Sequence, residues 1–314
     1  MKKYSVGIDI GGMSIKGGIV NENGKIIALD RVITARNAEK DIENIARLVN
    51  GLLEKQNISV SDIKGVGIGC PGAINSKSGV VEVLPNLNWY NVEIVNILKK
   101  KLNADVKITN DANAAALAEY KFGAAKNYDS CVMFTLGTGV GGAYIENGKI
   151  LEGNLGKGAE LGHATLVLDG IPCTCGRNGC IERYVSATAL IGQTKAAMLK
   201  DKRSLLWEIV GGDVEKVEGK TAFTAAAAGD KCAKSVVDTY IKYLSESMMT
   251  MINIFRPQAF ILGGGVSGAG KVLIDGTNKY CEKFYYGYKG APVPEILIAT
   301  LGNDAGIIGA ASLF

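Results

Sequence analysis

Apolar residues in the first third of the chain follow two periods in turn. Residues 4–10 and 16–20 are short apolar runs separated by glycines, and both predict strands. Asn23-Gly24 is a hairpin-type turn leading into a third strand over 25–29. The period then lengthens. Ile42, Ile45, Val49 and Leu52 recur at intervals of three and four, which predicts an amphipathic helix over 38–56. Residues 63–69 return to a continuous apolar run, a buried strand that ends in C-P-G-A, where Pro71 and Gly72 enforce a turn. A second amphipathic helix is predicted over 91–102, and a strand over 105–109 follows it.

That last strand delivers two polar residues, Asn110 and Asp111, onto the Ala-rich run A-N-A-A-A-L-A. Ala and Leu favour helix and Asn or Asp caps helix starts, so the stretch reads strand, turn, helix. A carboxylate at a helix N-terminus meets unpaired N–H groups and the positive end of the dipole, so Asp111 is expected to stay ionised. Such an acceptor at a strand end is the group needed to take a hydroxyl proton. A cap alone would account for Asp111 in isolation; the neighbouring motifs ask more of it.

The second half echoes the first. From Val6 the chain reads V-G-I-D-I-G-G-M-S-I-K-G-G-I-V-N-E-N-G-K-I-I, and from Val132 it reads V-M-F-T-L-G-T-G-V-G-G-A-Y-I-E-N-G-K-I-L. Both are strand, Gly-rich turn, strand, then E-N-G-K-I into a third strand, which predicts two similarly built halves. A long helix over 232–255 is stopped by Arg256-Pro257, and a strand over 259–262 runs into Gly263-Gly264-Gly265. The tail L-G-N-D-A-G-I-I-G-A-A reads as a loop and a closing helix.

The glycine loops narrow the chemistry. Gly137 to Gly142 matches the dinucleotide fingerprint G-x-G-x-x-G, but that motif needs a helix after the glycines, whereas this chain continues into a hairpin strand. Gly265 to Val272 nearly matches a P-loop, yet Val272 replaces the hydroxyl residue that would hold magnesium. Both are rejected. A hairpin turn of backbone N–H groups with Asp9, Ser14, Lys16 and Thr138 nearby still cradles a phosphate chain, and two such hairpins would grip a nucleotide. The run at Gly264 and Gly265 would let backbone approach a flat adenosine.

Composition adds exclusions. The chain has 314 residues, 47% hydrophobic and 21% charged, enough for two lobes with separate cores. No apolar run approaches the roughly 20 residues needed to span a bilayer. Asp9 cuts short any signal-like start, so the expected location is the cytoplasm, without membrane association. The net charge of +4 is small and scattered apart from Lys99-Lys100-Lys101, so nucleic-acid binding is not expected. The 7 cysteines, an odd number with three clustered, point to a reduced compartment and one local site.

That site pairs the single histidine, His163, with Cys173, Cys175 and Cys180, all within 18 residues. One His and three Cys are the ligands of a closed tetrahedral zinc site; the alternative is free thiols or a redox pair. Glu160 and Glu182 flank the cluster, so a metal knot would position two carboxylates that accept hydrogen bonds from a polyol. His163 could bind metal through one nitrogen and donate through the other.

Taken together, G-I-D-I-G-G-M-S-I-K, C-P-G, N-D-A-N-A-A-A-L-A-E, L-G-T-G-V-G-G, E-L-G-H, C-T-C-G-R-N-G-C-I-E, L-G-G-G and L-G-N-D-A-G-I-I-G-A-A resemble the ROK family of sugar kinases and repressors, above all its bacterial glucokinases. The motifs fall in order from residue 7 to residue 311. The resemblance implies the α/β actin-like ATPase fold (RNase H-like): two lobes, each a mixed sheet flanked by helices, with the active site in the cleft. The expected lobes are residues 1–115, with a C-terminal helix over 303–314 packing back, and residues 116–302, carrying the zinc site and adenosine-binding glycines. Asp111 is implied as catalytic base, with Gly72, Asn86, Asn110, Glu160, His163 and Glu182 holding the sugar. Asp9, Gly11, Gly12, Met13, Ser14, Lys16, Thr138, Gly139, Gly264 and Gly265 are the expected ATP-binding residues, with Asp9 serving magnesium through water.

The expected activity is transfer of the ATP γ-phosphate to the glucose 6-hydroxyl, with ATP, Mg2+ and structural Zn2+, by a homodimer. Kinases for N-acetylmannosamine, fructose or another hexose share the same polar shell. A sugar-responsive regulator of this family needs a DNA-binding segment, and the first strand starts at Tyr4. Met13 stands where the family usually has Thr, with Ser14 beside it.

Overall fold

The computed structural model describes residues 2–286 and 292–314. In chain order its strands are β1 (Tyr4–Ile10), β2 (Ser14–Asn21), β3 (Ile26–Ile33), β4 (Ile63–Cys70), β5 (Ala73–Asn75), β6 (Val80–Leu84), β7 (Trp89–Val92), β8 (Val106–Asn110), β9 (Ser130–Leu136), β10 (Val140–Glu146), β11 (Lys149–Ile150), β12 (Ala259–Gly263) and β13 (Glu295–Ile298). The helices are α1 (Ala38–Lys55), α2 (Ile94–Leu102), α3 (Asp111–Phe122), α4 (Glu182–Val185), α5 (Ala187–Lys200), α6 (Leu206–Ile209), α7 (Thr221–Ala227), α8 (Lys231–Phe255), α9 (Lys271–Phe284) and α10 (Ala305–Ala311). The chain divides into two compact units. One takes residues up to Ser130, Ala143–Ala159 and Thr300–Phe314; the other takes Cys131–Gly142 and Glu160–Ala299.

The echo in the sequence reappears as topology. One five-stranded sheet has the order β3-β2-β1-β4-β8 and another the order β11-β10-β9-β12-β13, the same permutation of each sheet's strands in chain order, with β5-β6-β7 forming a separate sheet between β4 and β8 in the chain. In the first, β1 pairs antiparallel with β2 and parallel with β4, and β4 pairs parallel with β8. In the second, β12 runs parallel to both β9 and β13. Strands with neighbours on both sides and helices over their faces need apolar residues throughout, which is why 63–69 shows no polar alternation. Ile42, Ile45, Val49 and Leu52 of α1 are all buried, as their spacing predicts.

In the first unit α10 packs on β1, β4 and α3. Two glycines allow it: a Cβ on Gly7 would sit 1.9 Å from the Ile307 carbonyl oxygen, and one on Gly67 1.8 Å from that of Ala310. In the second unit α8 is the central helix, with Tyr240 fully buried and its hydroxyl donating to the Val185 carbonyl at 2.7 Å. It ends where expected, with Arg256 in the left-handed conformation (φ 47) ahead of Pro257.

The helix expected over 91–102 begins later, at Ile94. Its predicted start belongs instead to β7, which pairs antiparallel with β6 and buries Trp89 completely. Asn91 has φ 52, outside the helical region, and the side-chain burial of Trp89 outweighs the helical period that follows it.

Candidate active site

In the first unit the parallel register aligns the carboxyl ends of three strands: Asp9 pairs with Gly69, Gly69 with Thr109, and Cys70 with Asn110. Ligands of open α/β sheets bind at this edge. Asn110 caps α3, its Oδ1 accepting from the Ala112 amide at 2.8 Å, which leaves its side-chain NH2 as a donor. Asp111 Oδ1 accepts from the same amide at 2.9 Å, yet the residue retains an exposed surface.

The helix start is not the only influence on the Asp111 carboxyl. Protein surrounding the carboxylate raises its pKa above the usual value, and the hydrogen bonds from the amides of Ala112 and Asp111 itself offset this only in part. Capping was legible locally; desolvation depends on what packs around the strand end. Asp9 is raised too, first by burial, with Lys16 across the β1–β2 pair acting to lower it and Asp111 to raise it. Asp9 is further enclosed by α10, since a Cβ on Gly306 would lie 2.9 Å from its Cγ.

The β1–β2 turn is closed by the Gly11 amide donating to the Ser14 carbonyl at 3.0 Å. Thr34 braces it from β3's end: its hydroxyl donates to the Gly11 carbonyl at 2.9 Å and its amide to that of Met13 at 3.2 Å. The Met13 side chain is 84% exposed, and Gly12 is open. Lys16 and Ser14 are half-buried beside the turn. Gly72 has φ 92, and a Cβ there would come within 2.5 Å of the Val83 carbonyl, so the turn after Pro71 requires glycine. Asn86 is exposed in the 3-10 turn Pro85–Leu87.

In the second unit, the turn between β9 and β10 is held by the first turns of α4 and α5. Gly137 accepts from the Ala187 amide and Thr138 from the Thr188 hydroxyl, both at 2.8 Å through their carbonyls. Glu182 Oε2 accepts from the Val140 amide at 3.1 Å and fills the space a Cβ on Gly139 would need. β10 follows these glycines directly, so no dinucleotide-type helix opens here. Gly264 (φ 81) lets β12 end against the Leu136 backbone, 2.6 Å from where its Cβ would be, and Gly265 beside it is open.

Donor atoms of His163, Cys173, Cys175 and Cys180 all lie within 4.8 Å of one another. Cys173 Sγ is 3.7 Å from His163 Nδ1, and the Sγ atoms of Cys175 and Cys180 are 3.6 Å apart. A tetrahedron of zinc–sulfur bonds has edges of about 3.8 Å, so the four donors fit that metal. The Nδ1 of His163 faces the cluster, leaving Nε2 for another partner. Glu182 Oε1 stands 3.8 Å from Cys173 Sγ, while Glu160 is exposed one residue before the 3-10 turn Leu161–His163. Thr34 and Glu152 act through partners distant in the chain and carry no local motif, while Glu119 and Gly306 stand inside N-D-A-N-A-A-A-L-A-E and L-G-N-D-A-G-I-I-G-A-A, whose spacing does not reveal their partners.

Two α/β sheets of the same strand order, with a capped aspartate at one strand edge and glycine turns after paired strands, define a protein of the actin-like ATPase class. The ROK family pattern matches residues 5–314, and the chain belongs to that family. It is 36% identical to a glucokinase of Thermotoga maritima and 34% identical to one of Streptomyces coelicolor, each alignment covering 98% of this chain and 96% of the relative. A ROK family glucokinase from Streptomyces griseus, solved in complex with glucose and AMPPNP, superposes with a TM-score of 0.82 at 35% identity, covering 99% of this chain and 98% of that one.

Proposed function

We propose that this protein is a glucokinase that transfers the γ-phosphoryl group of ATP to the 6-hydroxyl of glucose. The observation that carries the reading is Asp111: a solvent-reachable carboxylate at the carboxyl edge of a parallel sheet, its basicity increased by its surroundings. The glucokinase relatives support the choice of substrates.

Asp111 accepts the proton of the sugar hydroxyl as its oxygen forms a bond to the γ-phosphorus. The bond from that phosphorus to the bridging oxygen breaks, and ADP leaves with the electron pair. A more basic Asp111 takes the proton more readily at neutral pH. Of the residues that the family resemblance gives for the sugar, Gly72, Asn86 and Asn110 belong to the first unit and Glu160, His163 and Glu182 to the second. The turn Gly11, Gly12, Met13, Ser14 with Lys16 in the first unit, and Thr138 with Gly139 in the second, are each suited to phosphate oxygens, and Gly264 and Gly265 to an adenosine. Asp9, a half-buried hard-oxygen donor, fits magnesium, which when bound neutralises phosphate charge.

Zinc at His163, Cys173, Cys175 and Cys180 is structural in this reading, because four protein ligands leave no open position; it supplies local folding energy. His163 Nε2 then serves the sugar. Assembly as a homodimer and a glycolytic role are part of the proposal and rest on the family resemblance; a cytoplasmic location is proposed with them from the cysteine usage. The test is a coupled assay over glucose, fructose, mannose, N-acetylmannosamine and N-acetylglucosamine with ATP, other nucleotides and polyphosphate. The expected result is the highest kcat/KM for glucose with ATP. A higher value for another hexose replaces glucose as substrate, and no transfer to any sugar overturns the kinase reading.

A further inference from the structure

Glu152 lies in the segment that follows β11, outside every motif that defines the site. Its carboxylate accepts two hydroxyl hydrogen bonds: Oε2 from Ser76 Oγ at 3.1 Å and Oε1 from Thr109 Oγ1 at 2.9 Å. The Thr109 hydroxyl, 1% exposed, in turn accepts from Asn113 Nδ2 at 3.3 Å, in the first turn of α3. The backbone of this segment closes over Ser76, for a Cβ on Gly156 would come within 2.1 Å of Ser76 Oγ. Lys157, one residue further, ion-pairs with Glu82 of β6 at 2.6 Å.

The two hydroxyls belong to two parts of the first unit that carry chemistry, the Gly72 turn and the Asp111 strand end. Ser76 follows β5, the three-residue strand that starts immediately after Gly72. Thr109 is the penultimate residue of β8, directly before Asn110 and Asp111. Successive side chains on a strand point to opposite faces, so the Thr109 hydroxyl is held from the face opposite Asn110. Glu152 therefore grips the strand end from behind. We propose that Glu152 is a positioning residue that fastens the Gly72 turn and the Asp111 strand end to one another, so that sugar contact and proton acceptor keep a fixed geometry. The inference rests on the kinase reading for its catalytic consequence.

The physical reason is preorganisation. A carboxylate binds hydroxyl donors about twice as strongly as a neutral acceptor does, and its two oxygens serve two segments at once. A reacting group displaced by about 1 Å can lose roughly 10²-fold in rate. Glu152 itself need touch neither sugar nor phosphate.

The experiment compares Glu152→Ala, Glu152→Asp and Glu152→Gln with the wild-type full chain, by steady-state kinetics with glucose and ATP and by amide hydrogen exchange. Aspartate keeps the charge but is too short to reach both hydroxyls; glutamine keeps the length and one acceptor oxygen, and its NH2 group can donate to the second hydroxyl. For Ala and Asp the KM for glucose should rise and kcat fall, each by roughly tenfold, while the KM for ATP stays within about threefold. Gln should restore most of the loss. Amide exchange should quicken together at residues 73–76 and 108–112 in the Ala or Asp variant, whichever folds. An equal rise in both KM values, or exchange unchanged at either segment, overturns the inference. A wild-type protein that phosphorylates no hexose overturns the kinase reading instead, and the paired exchange response still decides whether Glu152 joins the two segments.

Discussion

Glu119, at the end of the helix that begins with Asp111, binds Thr300 across 181 positions of sequence. Its fully buried carboxylate accepts from the Thr300 amide at 2.8 Å and hydroxyl at 3.1 Å. It also accepts from the amides of Leu301 at 2.7 Å and Ala124 at 2.8 Å. Four donors converge on one buried anion, so α3 is fixed at both ends, by Asn110 at its start and by Glu119 near its finish. Glu119→Gln should put an NH2 group against backbone N–H donors and cost about 2–3 kcal/mol of stability. Chemical denaturation checks this, and a loss below about 0.5 kcal/mol would show that the clamp is not energetically important.

Asp111→Asn should separate activity from stability. Turnover should fall by roughly 10²–10⁴, because the side-chain amide can still accept from the Ala112 amide but cannot accept the proton. Stability at neutral pH should rise. A carboxyl whose folded pKa is raised holds its proton more tightly in the folded state, so its stability contribution is lost as pH climbs from the unfolded pKa through the folded one. The melting-temperature gain of the variant should therefore shrink on acidification and vanish below the ordinary carboxylate pKa. Wild-type kcat/KM should decline toward acid through the raised pKa. Near-wild-type turnover in Asp111→Asn is the outcome that removes it as base.

Met13→Thr should change little. The turn is braced through backbone groups, Met13's own carbonyl accepting from Thr34, and the Met13 side chain projects to solvent. With Ser14 supplying a hydroxyl, the KM for ATP should stay within a few-fold; a large decrease would mean that the missing hydroxyl matters. Thr34→Val, by contrast, removes the hydroxyl that donates to Gly11 and should cost about 1 kcal/mol and raise the KM for ATP.

Cys175→Ser should abolish zinc binding, read by elemental analysis of the purified protein, and raise the KM for glucose more than that for ATP. Backbone hydrogen bonds also order the loop: Cys173 donates through its amide to the Arg177 carbonyl at 2.8 Å, and Ile181 to that of Ala164 at 2.9 Å. The variant should therefore remain folded as a whole while the Glu182 end of the cluster loosens. Wild-type protein that is purified without zinc and still phosphorylates glucose normally would refute the metal's structural role.

Much of this architecture is carried by short-range pattern. The apolar stripe of α1, the Asn110 cap, the stop at Arg256-Pro257 and the Cys/His cluster within 18 residues are each readable in one stretch, because periodicity, capping and ligand type are local properties. The repeat of the three-strand unit was also legible, since the two units share their turn residues, whereas the places of β4, β8, β12 and β13 in the sheets were not. Tertiary structure decided the rest. Residues 91–92 became strand because Trp89 found a core, and Asp111 became more basic because protein gathered around it. Thr34, Glu119 and Glu152 acquired roles from hydrogen-bond partners 23, 181 and 76 positions away. A buried charge is tolerated only where distant donors converge on it, and burial itself is a sum over the whole packed unit, so neither can be written into a single stretch of sequence.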